Sequence, residues 1–219
     1  MLSNKNIKFK KIIHVHTTKM LTSKKVIEEF NKRAEKRKGI TKVLSGRMDS
    51  NLNKKFDQIC KNFITKNFDY QLDTVIDVGI GVGRLAKYFS QKSHRLIGVD
   101  FADQMLELAK KYLKTEKNIT LIYNNVLDID FLPNYFDLGI VSLVLKHNND
   151  KAVIKIIKKL KKWCKKILLI EHIKGSTTGS KISIVRDKEW YLKQFEPMKP
   201  KSIYKFKRDK DDILFCIFE

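Results

Sequence analysis

The chain has 219 residues, of which 42% are hydrophobic, and it carries a formal net charge of +22. This size and apolar content suffice for one α/β domain with a core, and no run of about 18 apolar residues exists that would predict a membrane span. Cys60, Cys164 and Cys216 are too few and too widely spaced for a disulfide framework or a zinc site, and the basic N-terminus lacks the continuous apolar run of a secretion signal. We therefore expect a soluble, cytoplasmic protein with free thiols.

The excess of basic residues has two explanations. Clustered lysine and arginine side chains neutralise phosphates, so the charge is compatible with a nucleic-acid partner or with an acidic or phosphorylated substrate. However, 39 of the 46 basic residues are lysine and only 7 are arginine. Proteins that read phosphates and bases favour the forked guanidinium of arginine, whereas a lysine-rich chain is typical of AT-rich codon usage. We favour compositional drift as the explanation of the charge, with a polyanion-binding surface as the alternative.

The first 70 residues are predicted to contain two helices. Residues 23–38 have the pattern of a charged helix, with Ser23 as its N-cap and Gly39 at its end. Residues 51–68 have the pattern of an amphipathic helix. Its apolar face carries Leu52, Phe56, Ile59, Cys60 and Phe63. No motif identifies a function for this part of the chain.

From residue 72 onward, short apolar runs alternate with helical patterns, so residues 71–219 are predicted to form the main domain and residues 1–70 an N-terminal helical extension. The predicted strands are residues 73–79, 95–100, 118–124, 136–144 and 167–172. The predicted helices between them are residues 84–92, 102–114 and 150–166. Apolar strands without polar alternation are typical of a parallel sheet that is covered by helices on both faces.

The C-terminal part has a different pattern. A helix is predicted at residues 187–195, followed by strands at residues 202–206 and 213–218 that are close enough to form a hairpin. The expected fold is therefore a Rossmann-like, doubly wound α/β domain. Its mostly parallel, seven-stranded sheet ends in an antiparallel C-terminal hairpin.

The stretch VIDVGIGVGRLAKYF, residues 75–89, places three glycines at alternate positions between the first strand and the first helix. A glycine-rich loop at this point lets the backbone approach a ligand. A dinucleotide loop needs a third glycine for close helix packing, but that position is Arg84. The pattern that fits is D-x-G-x-G-x-G, which begins at Asp77.

On this motif, and on the features that follow it over residues 72–172, the sequence resembles the class I S-adenosylmethionine-dependent methyltransferases. The resemblance implies that S-adenosylmethionine is the cofactor and that S-adenosylhomocysteine is the product. It also implies that Asp77 meets the cofactor's ammonium group and that the loop wraps its aminoacyl part. The loop glycines are Gly79, Gly81 and Gly83.

The resemblance extends to the rest of the cofactor. Asp100 ends the second main-domain strand, where a carboxylate would accept hydrogen bonds from both ribose hydroxyls. Phe101 and Met105 would form an apolar wall beside the adenine, although Met105 also fits an ordinary helix core. Arg47, in the N-terminal part, is a candidate for the cofactor's carboxylate.

The adenine amino group would be met by the segment before the F-D pair at Phe136 and Asp137. The family has an acidic residue twelve positions before that aspartate, whereas this chain has Asn125, followed by Val126. An amide oxygen can accept the same hydrogen bond without a charge. Asp128 is the second choice for this role.

Candidate acceptor-side residues follow the strands that end next to the transferable methyl group. His147 follows the fourth main-domain strand, and Glu171 and His172 end the fifth. A neutral histidine can take the proton of an attacking hydroxyl, so His172 is the preferred base, with Glu171 as its orienting partner. His147 is the alternative, and all three are also compatible with a structural role. Further candidates that would flank the acceptor are Arg186, Trp190 and Tyr191, although the two aromatic residues also fit a packing role.

The chemical class of the methyl acceptor is inferred partly from family signatures that this chain lacks. Enzymes of this class that methylate exocyclic base amines carry a [DN]-P-P-[YF] box after the fourth strand, where this chain reads SLVL, and metal-dependent members carry clustered carboxylates that are missing here. The size of the chain and its short hairpin tail resemble those of the small-molecule methyltransferases of biosynthetic pathways. This resemblance implies a metal-free enzyme that methylates an O or N atom of a small metabolite, sugar or biosynthetic intermediate. The basic charge is compatible with an acceptor that is acidic or phosphorylated. An RNA or protein methyltransferase that uses the basic surface is the first alternative, and a non-catalytic nucleic-acid-binding protein is the second.

Overall fold

The computed structural model describes residues 12–14, 24–36, 50–174, 183–208 and 211–219. Its helices are α1 (Lys24–Lys36), α2 (Ser50–Asn67), α3 (Arg84–Ser90), α4 (Asp103–Tyr112), α5 (Asp150–Trp163) and α6 (Lys188–Phe195). Its strands are β1 (Ile12–His14), β2 (Leu72–Val78), β3 (Ser93–Asp100), β4 (Ile119–Tyr123), β5 (Phe136–Ser142), β6 (Cys164–Lys174), β7 (Pro200–Arg208) and β8 (Asp211–Phe218).

The strands form one sheet in the order β1-β4-β3-β2-β5-β6-β8-β7. Strands β1 to β6 pair in parallel, and β8 pairs antiparallel with both β6 and β7. The doubly wound, mostly parallel sheet with a C-terminal hairpin is therefore confirmed. The seven predicted strands are all present, and β1 adds an eighth at the edge beside β4. A strand of three residues within a basic segment is too short to be predicted from its sequence pattern.

One predicted boundary is wrong. The helix expected over residues 150–166 ends at Trp163, because Cys164 has an extended backbone (φ −118°, ψ 137°) and pairs with Phe136 of β5 as the first residue of β6. The apolar spacing of Leu160, Trp163 and Cys164 continues a helical pattern into the strand, so periodicity alone does not find the break. The N-cap at Ser23 and the helix end at Gly39 lie outside the described residues.

Helices cover both faces of the sheet, and each face has its own core. On one face, Phe56, Cys60 and Ile64 of α2 are fully buried against the sheet together with residues of α3 and α4. On the other face, α5 and α6 pack over the strands around the buried Trp163. All three cysteines are free and buried. None of the helices described is both long and apolar enough to cross a membrane.

The strand order places a crevice at the centre of the sheet. Strand β2 lies at the centre of the sheet between β3 and β5. After β2 the chain adds β3 and β4 on one side, and it then crosses back to add β5 and β6 on the other side. The segments that follow β2 and β5 therefore diverge at their carboxyl ends. In open α/β sheets this divergence is where ligands bind.

Candidate cofactor and acceptor site

The loop after β2 has a backbone that requires glycine. Gly79, Gly81 and Gly83 have φ angles of 71°, 55° and 82°, in the left-handed region that other residues rarely adopt. A Cβ atom on Gly79 would overlap the side chain of Val144, which lies on the segment after β5. The loop is tied to β3 because the amides of Gly79 and Ile80 both donate to the carbonyl of Val99, at 2.8 and 3.1 Å. The loop therefore holds its shape against both neighbouring strands.

Asp77 lies beneath this loop and lines a cavity that opens at the crevice. Its side chain is buried, and no donor from the described part of the chain forms a hydrogen bond with its carboxyl group. Burial raises the pKa of Asp77 to about 7, with the positive charge of Arg84 opposing the rise and the negative charge of Asp100 adding to it. A buried carboxyl group without a donor is a natural site for a cationic ligand group.

Asp100 connects the glycine loop to the start of α4. Its Oδ2 accepts a hydrogen bond from the amide of Gly81 at 2.8 Å, and its Oδ1 accepts one from the amide of Ala102 at 2.9 Å. Burial raises the pKa of Asp100, and these backbone donors counteract the rise. Each carboxylate oxygen has a second lone pair, so both remain able to accept a hydroxyl from a ligand in the cavity.

Arg84, which takes the place of the third glycine of a dinucleotide loop, has a role that the sequence did not reveal. Its Nη1 donates to Oδ1 of Asp57 on α2 at 2.7 Å, and its guanidinium group lies over the ring of Phe56. Both groups of the ion pair are largely buried. Arg84 therefore fastens α2 to the start of α3 while also lining the cavity.

On the other side of the cavity, the segment after β5 has a strained backbone. Leu143 has a φ angle of 59°, and its amide donates to the carbonyl of Ile170 on β6 at 2.7 Å. The hydroxyl of Ser142, which also lines the cavity, is buried, and none of the described residues forms a hydrogen bond with it. Left-handed backbone at a non-glycine residue is costly and clusters at functional sites. This segment is the SLVL stretch where base-amine methyltransferases carry their signature box.

His147 faces the cavity together with Phe30 of α1. Their ring centroids are 5.1 Å apart with an interplanar angle of 81°, and Phe30 also meets Phe101 edge-on at 6.3 Å. All three rings line the cavity. Sequence reasoning missed Phe30. The available signal was the spacing of Val26, Phe30 and Ala34, which forms an apolar stripe along an otherwise charged helix.

Glu171 and His172 occupy different surroundings from those expected, and neither lines the cavity. Successive side chains of a strand point to opposite faces. Glu171 is fully buried and accepts hydrogen bonds from the amides of Leu145 and Lys146, at 2.8 and 3.3 Å. His172 lies next to the hairpin, with Nδ1 3.6 Å from a carboxylate oxygen of Asp211. Burial raises the pKa of Glu171, opposed by Lys146 and by the backbone amides.

Arg186 holds the same segment from the other side. Its guanidinium group is almost completely buried and donates to the carbonyls of Leu145 and Asn148, at 3.3 and 2.7 Å, and to Oδ1 of Asp150. Glu171 and Arg186 thus bind the amide and carbonyl groups of the turn that carries His147. Trp190 packs on the Arg186 guanidinium group, with 4.9 Å to its ring centre, and does not line the cavity.

Four further predicted site residues do not line the cavity, namely Met105, Asn125, Val126 and Gly83. Met105 is fully buried between α1 and α4. Asn125 caps a short 3₁₀ turn by accepting from the amide of Leu127, and Val126 packs in the core. Gly83 faces Leu113. Arg47 lies outside the described residues.

Comparisons with known proteins indicate a methyltransferase domain in the part of the chain that holds the glycine loop. Residues 75–166 match the family model described as "Methyltransferase domain". A curated relative, ribosomal RNA small subunit methyltransferase A of Lactiplantibacillus plantarum, is 20% identical over 117 residues, which cover 53% of this chain and 36% of the relative. The chain therefore matches only about a third of the length of that relative.

Solved structures show the same fold. An S-adenosylmethionine-dependent methyltransferase from Leishmania major superposes with a TM-score of 0.71 and 17% identity, covering 87% of this chain and 82% of that one. The N-methyltransferase NodS from Bradyrhizobium japonicum, in complex with S-adenosylhomocysteine, superposes with a TM-score of 0.69 and 14% identity, covering 88% and 96%. The chain thus shares its fold with these two methyltransferases, and residues 75–166, which hold the glycine loop and Asp100, match a methyltransferase domain.

The residues present fit S-adenosylmethionine. The carboxyl group of Asp77 has no donor from the described residues and suits the cofactor's ammonium group, and the positive-φ glycines leave room for its aminoacyl part. Asp100 offers two acceptor oxygens at the end of β3, next to the ring of Phe101. No buried arginine cluster or phosphate-binding loop competes with this fit among the residues that line the cavity.

Proposed function

We propose that the protein transfers a methyl group from S-adenosylmethionine to an O or N atom of a small metabolite, sugar or biosynthetic intermediate. The observation that carries the cofactor side of the proposal is the buried, unpartnered carboxyl group of Asp77 beneath the glycine loop. The cofactor, when bound, supplies a methyl group on a sulfonium. Asp77 would hold the cofactor's ammonium group, and Asp100 would accept its ribose hydroxyls.

The acceptor side of the cavity supports a small and largely uncharged acceptor. Its described lining consists of Phe30, Ser142, Leu143, Val144, His147 and Asn148, none of which carries a fixed charge. The one cationic side chain of the described lining, Arg84, is already paired with Asp57. An acidic or phosphorylated acceptor would find no free cation in this part of the cavity, so a neutral hydroxyl or amine fits better.

Among the candidate bases, the geometry favours His147 over His172. Transfer to a hydroxyl requires a group that takes its proton as the oxygen attacks, and that group must lie in the cavity. His147 does, on a turn that Glu171 and Arg186 hold, whereas His172 lies beside Asp211. The unpartnered hydroxyl of Ser142 would orient the acceptor by a hydrogen bond. Transfer to a neutral amine would need orientation alone.

RNA is the second candidate acceptor. The net charge of +22 and the names of the curated relatives, which are ribosomal RNA methyltransferases, favour it. The missing [DN]-P-P-[YF] box and the coverage of the cavity by Phe30 speak against a base amine as the target. NodS is an N-methyltransferase with this fold, which supports transfer to nitrogen.

One experiment tests the proposal and separates the two acceptors. The purified protein is incubated with S-adenosylmethionine that carries a radioactive methyl group, once with a metabolite extract and once with total RNA. The proposal expects the label in a low-molecular-weight product. Label in RNA would support the second candidate, and label in neither fraction, with the cofactor bound, would contradict methyl transfer to both classes.

A further inference from the structure

A row of lysines runs along the solvent-facing side of α5, starting next to the cavity. Lys151, Lys155 and Lys158 are exposed and recur at intervals of four and three residues, which places them on one side of the helix. The opposite side of α5 is the buried face formed by Val153, Ile156, Ile157, Leu160 and Trp163. We refer to Lys151, Lys155 and Lys158 as the α5 row.

The charge of the α5 row is not balanced by an ion pair with any residue that the structure describes, whereas Lys162, one turn farther along α5, pairs with Asp130. Three like charges on one side of a helix repel one another and destabilise the helix slightly. Helix stability therefore does not explain the α5 row. The lysines of α5 that form no ion pair with a described residue therefore lie on the part of the helix that begins next to the cavity.

The position of the row relates it to the site. Asn148 lines the cavity, Asn149 caps α5 by accepting from the amide of Ala152, and Lys151 lies in the first turn. The row therefore begins three residues after the cavity wall and extends away from it. From Lys151 to Lys158 the helix rises by about 10 Å, a length over which one nucleic-acid strand presents about three phosphates.

We propose that the α5 row binds the phosphate backbone of RNA, so that a strand held there reaches the mouth of the cavity. The inference rests on the second candidate function, for which it names the binding surface. RNA is favoured over an acidic protein because regularly spaced phosphates match a regular row of lysines, whereas carboxylates of a folded partner have no fixed spacing. The turn that carries His147 would then lie between the RNA and the cofactor.

The test measures RNA binding by fluorescence anisotropy with a labelled 20-nucleotide single-stranded RNA at several salt concentrations. The variant replaces Lys151, Lys155 and Lys158 by Gln. The matched control replaces Lys110, Lys111 and Lys114 by Gln. These three lysines are also exposed, and they lie on α4 and just after it, on the opposite face of the sheet. The control therefore loses the same number of positive charges at a different place.

Each phosphate contact in a single strand contributes about 0.7 to the slope of log K against log salt. The α5 variant is therefore expected to lose about 2 from that slope and to bind about a hundredfold more weakly at 0.1 M salt. The control should stay within about threefold of the unaltered protein, since it removes no phosphate contact. Both variants should bind S-adenosylhomocysteine normally, and this measurement reports on the cofactor site separately.

Three outcomes would overturn the inference. Equal losses in the two variants would mean that the charge acts as a diffuse background, as compositional drift predicts. No RNA binding, or no loss in the α5 variant, would remove the row as an RNA site. If poly-glutamate displaced the labelled RNA as strongly as unlabelled RNA does at equal total charge, the row would be assigned to an acidic protein partner. In all three cases normal binding of S-adenosylhomocysteine would leave the methyltransferase assignment standing.

Discussion

Asp77, the glycine loop and Asp100 form the cofactor half of the cavity, and all of them lie within residues 77–100. The acceptor half is assembled from separate segments. The turn that carries His147 is held by Glu171 of β6, 25 to 26 residues away along the chain, and by Arg186, 38 to 41 residues away. The cofactor half is thus a local structure, and the acceptor half is a product of tertiary packing. The two halves should respond differently to mutation.

The largest effect is expected at the loop of the cofactor half. Gly81→Val forces a β-branched residue into a φ angle of 55°, where its side chain would occupy the approach to the ligand. We expect affinity for S-adenosylhomocysteine to fall by at least about a hundredfold, or about 3 kcal/mol, in a protein that still folds. Calorimetry and circular dichroism measure the two properties. Unaltered affinity in the folded variant would remove this loop from the site.

The next largest effect is expected at the acceptor half, and only on turnover. His147→Ala should lower the turnover rate by about a hundredfold if the acceptor is a hydroxyl, because general-base catalysis contributes that much or more. Its affinity for S-adenosylhomocysteine should stay nearly unchanged. His172→Ala is the matched control, since this histidine does not line the cavity. Normal turnover in both variants would point to an amine acceptor that needs no base, whereas a loss confined to His172→Ala would contradict the assignment.

Asp100 gives an intermediate effect in the cofactor half. Asp100→Ala removes the acceptor of the Gly81 amide as well as the proposed partner of the ribose hydroxyls, so cofactor affinity should fall by about 1–3 kcal/mol. Asp103→Ala on the exposed start of α4 is a control for the loss of one negative charge. A change of less than a few tenths of a kcal/mol at Asp100, measured by calorimetry, would exclude it from the site.

The smallest effect concerns the support of the acceptor half. Arg186→Lys keeps the charge but cannot reach the carbonyls of Leu145 and Asn148 and the carboxylate of Asp150 together. We expect a loss of about 1 kcal/mol in the free energy of unfolding and a fall in turnover, with cofactor affinity unchanged. Denaturant titration and kinetics separate these quantities. Equal falls in turnover and cofactor affinity would mean that Arg186 supports the whole cavity, and the two halves would not be separable.

The difference between the halves also explains what the sequence could predict. The alternation of strands and helices along the chain, the glycine loop and Asp100 all follow from patterns within short stretches of sequence. The fold class and the cofactor could therefore be predicted. Local patterns do not report long-range contacts. Glu171 was therefore expected to orient His172 but accepts hydrogen bonds from backbone amides, and Arg186 gave no sign that it holds a turn. His172 was preferred because of its neighbour, although strand alternation turns the two side chains apart.

Two further gaps have physical causes of the same kind. Phe30 reaches the cavity because α1 packs on α4, a contact between helices 70 residues apart that no motif encodes. Arg84 was useful only as a reason to exclude a dinucleotide, whereas its role is to bind Asp57. Both residues act through partners that are brought close only by the folded chain.

The central claim is that Asp77 binds the cofactor's ammonium group. In the free protein its pKa is about 7, above its ordinary value of 3.8, so the fold favours the protonated form. The stability that this group contributes is therefore fully present below about pH 4 and is lost as the pH rises through about 7. A cationic ligand needs the ionised form and must displace the proton at lower pH.

The most direct test is a calorimetric titration with S-adenosylhomocysteine from pH 5.5 to 8.5, with NAD as the competing ligand. We expect micromolar affinity, or about 8 kcal/mol, above pH 7 and a fall of up to about tenfold for each pH unit below it. Asp77→Asn, which keeps the shape of the side chain but cannot ionise, should bind more weakly and with a flat pH dependence. Preference for NAD, or equal affinity and the same pH dependence in Asp77→Asn, would contradict the claim.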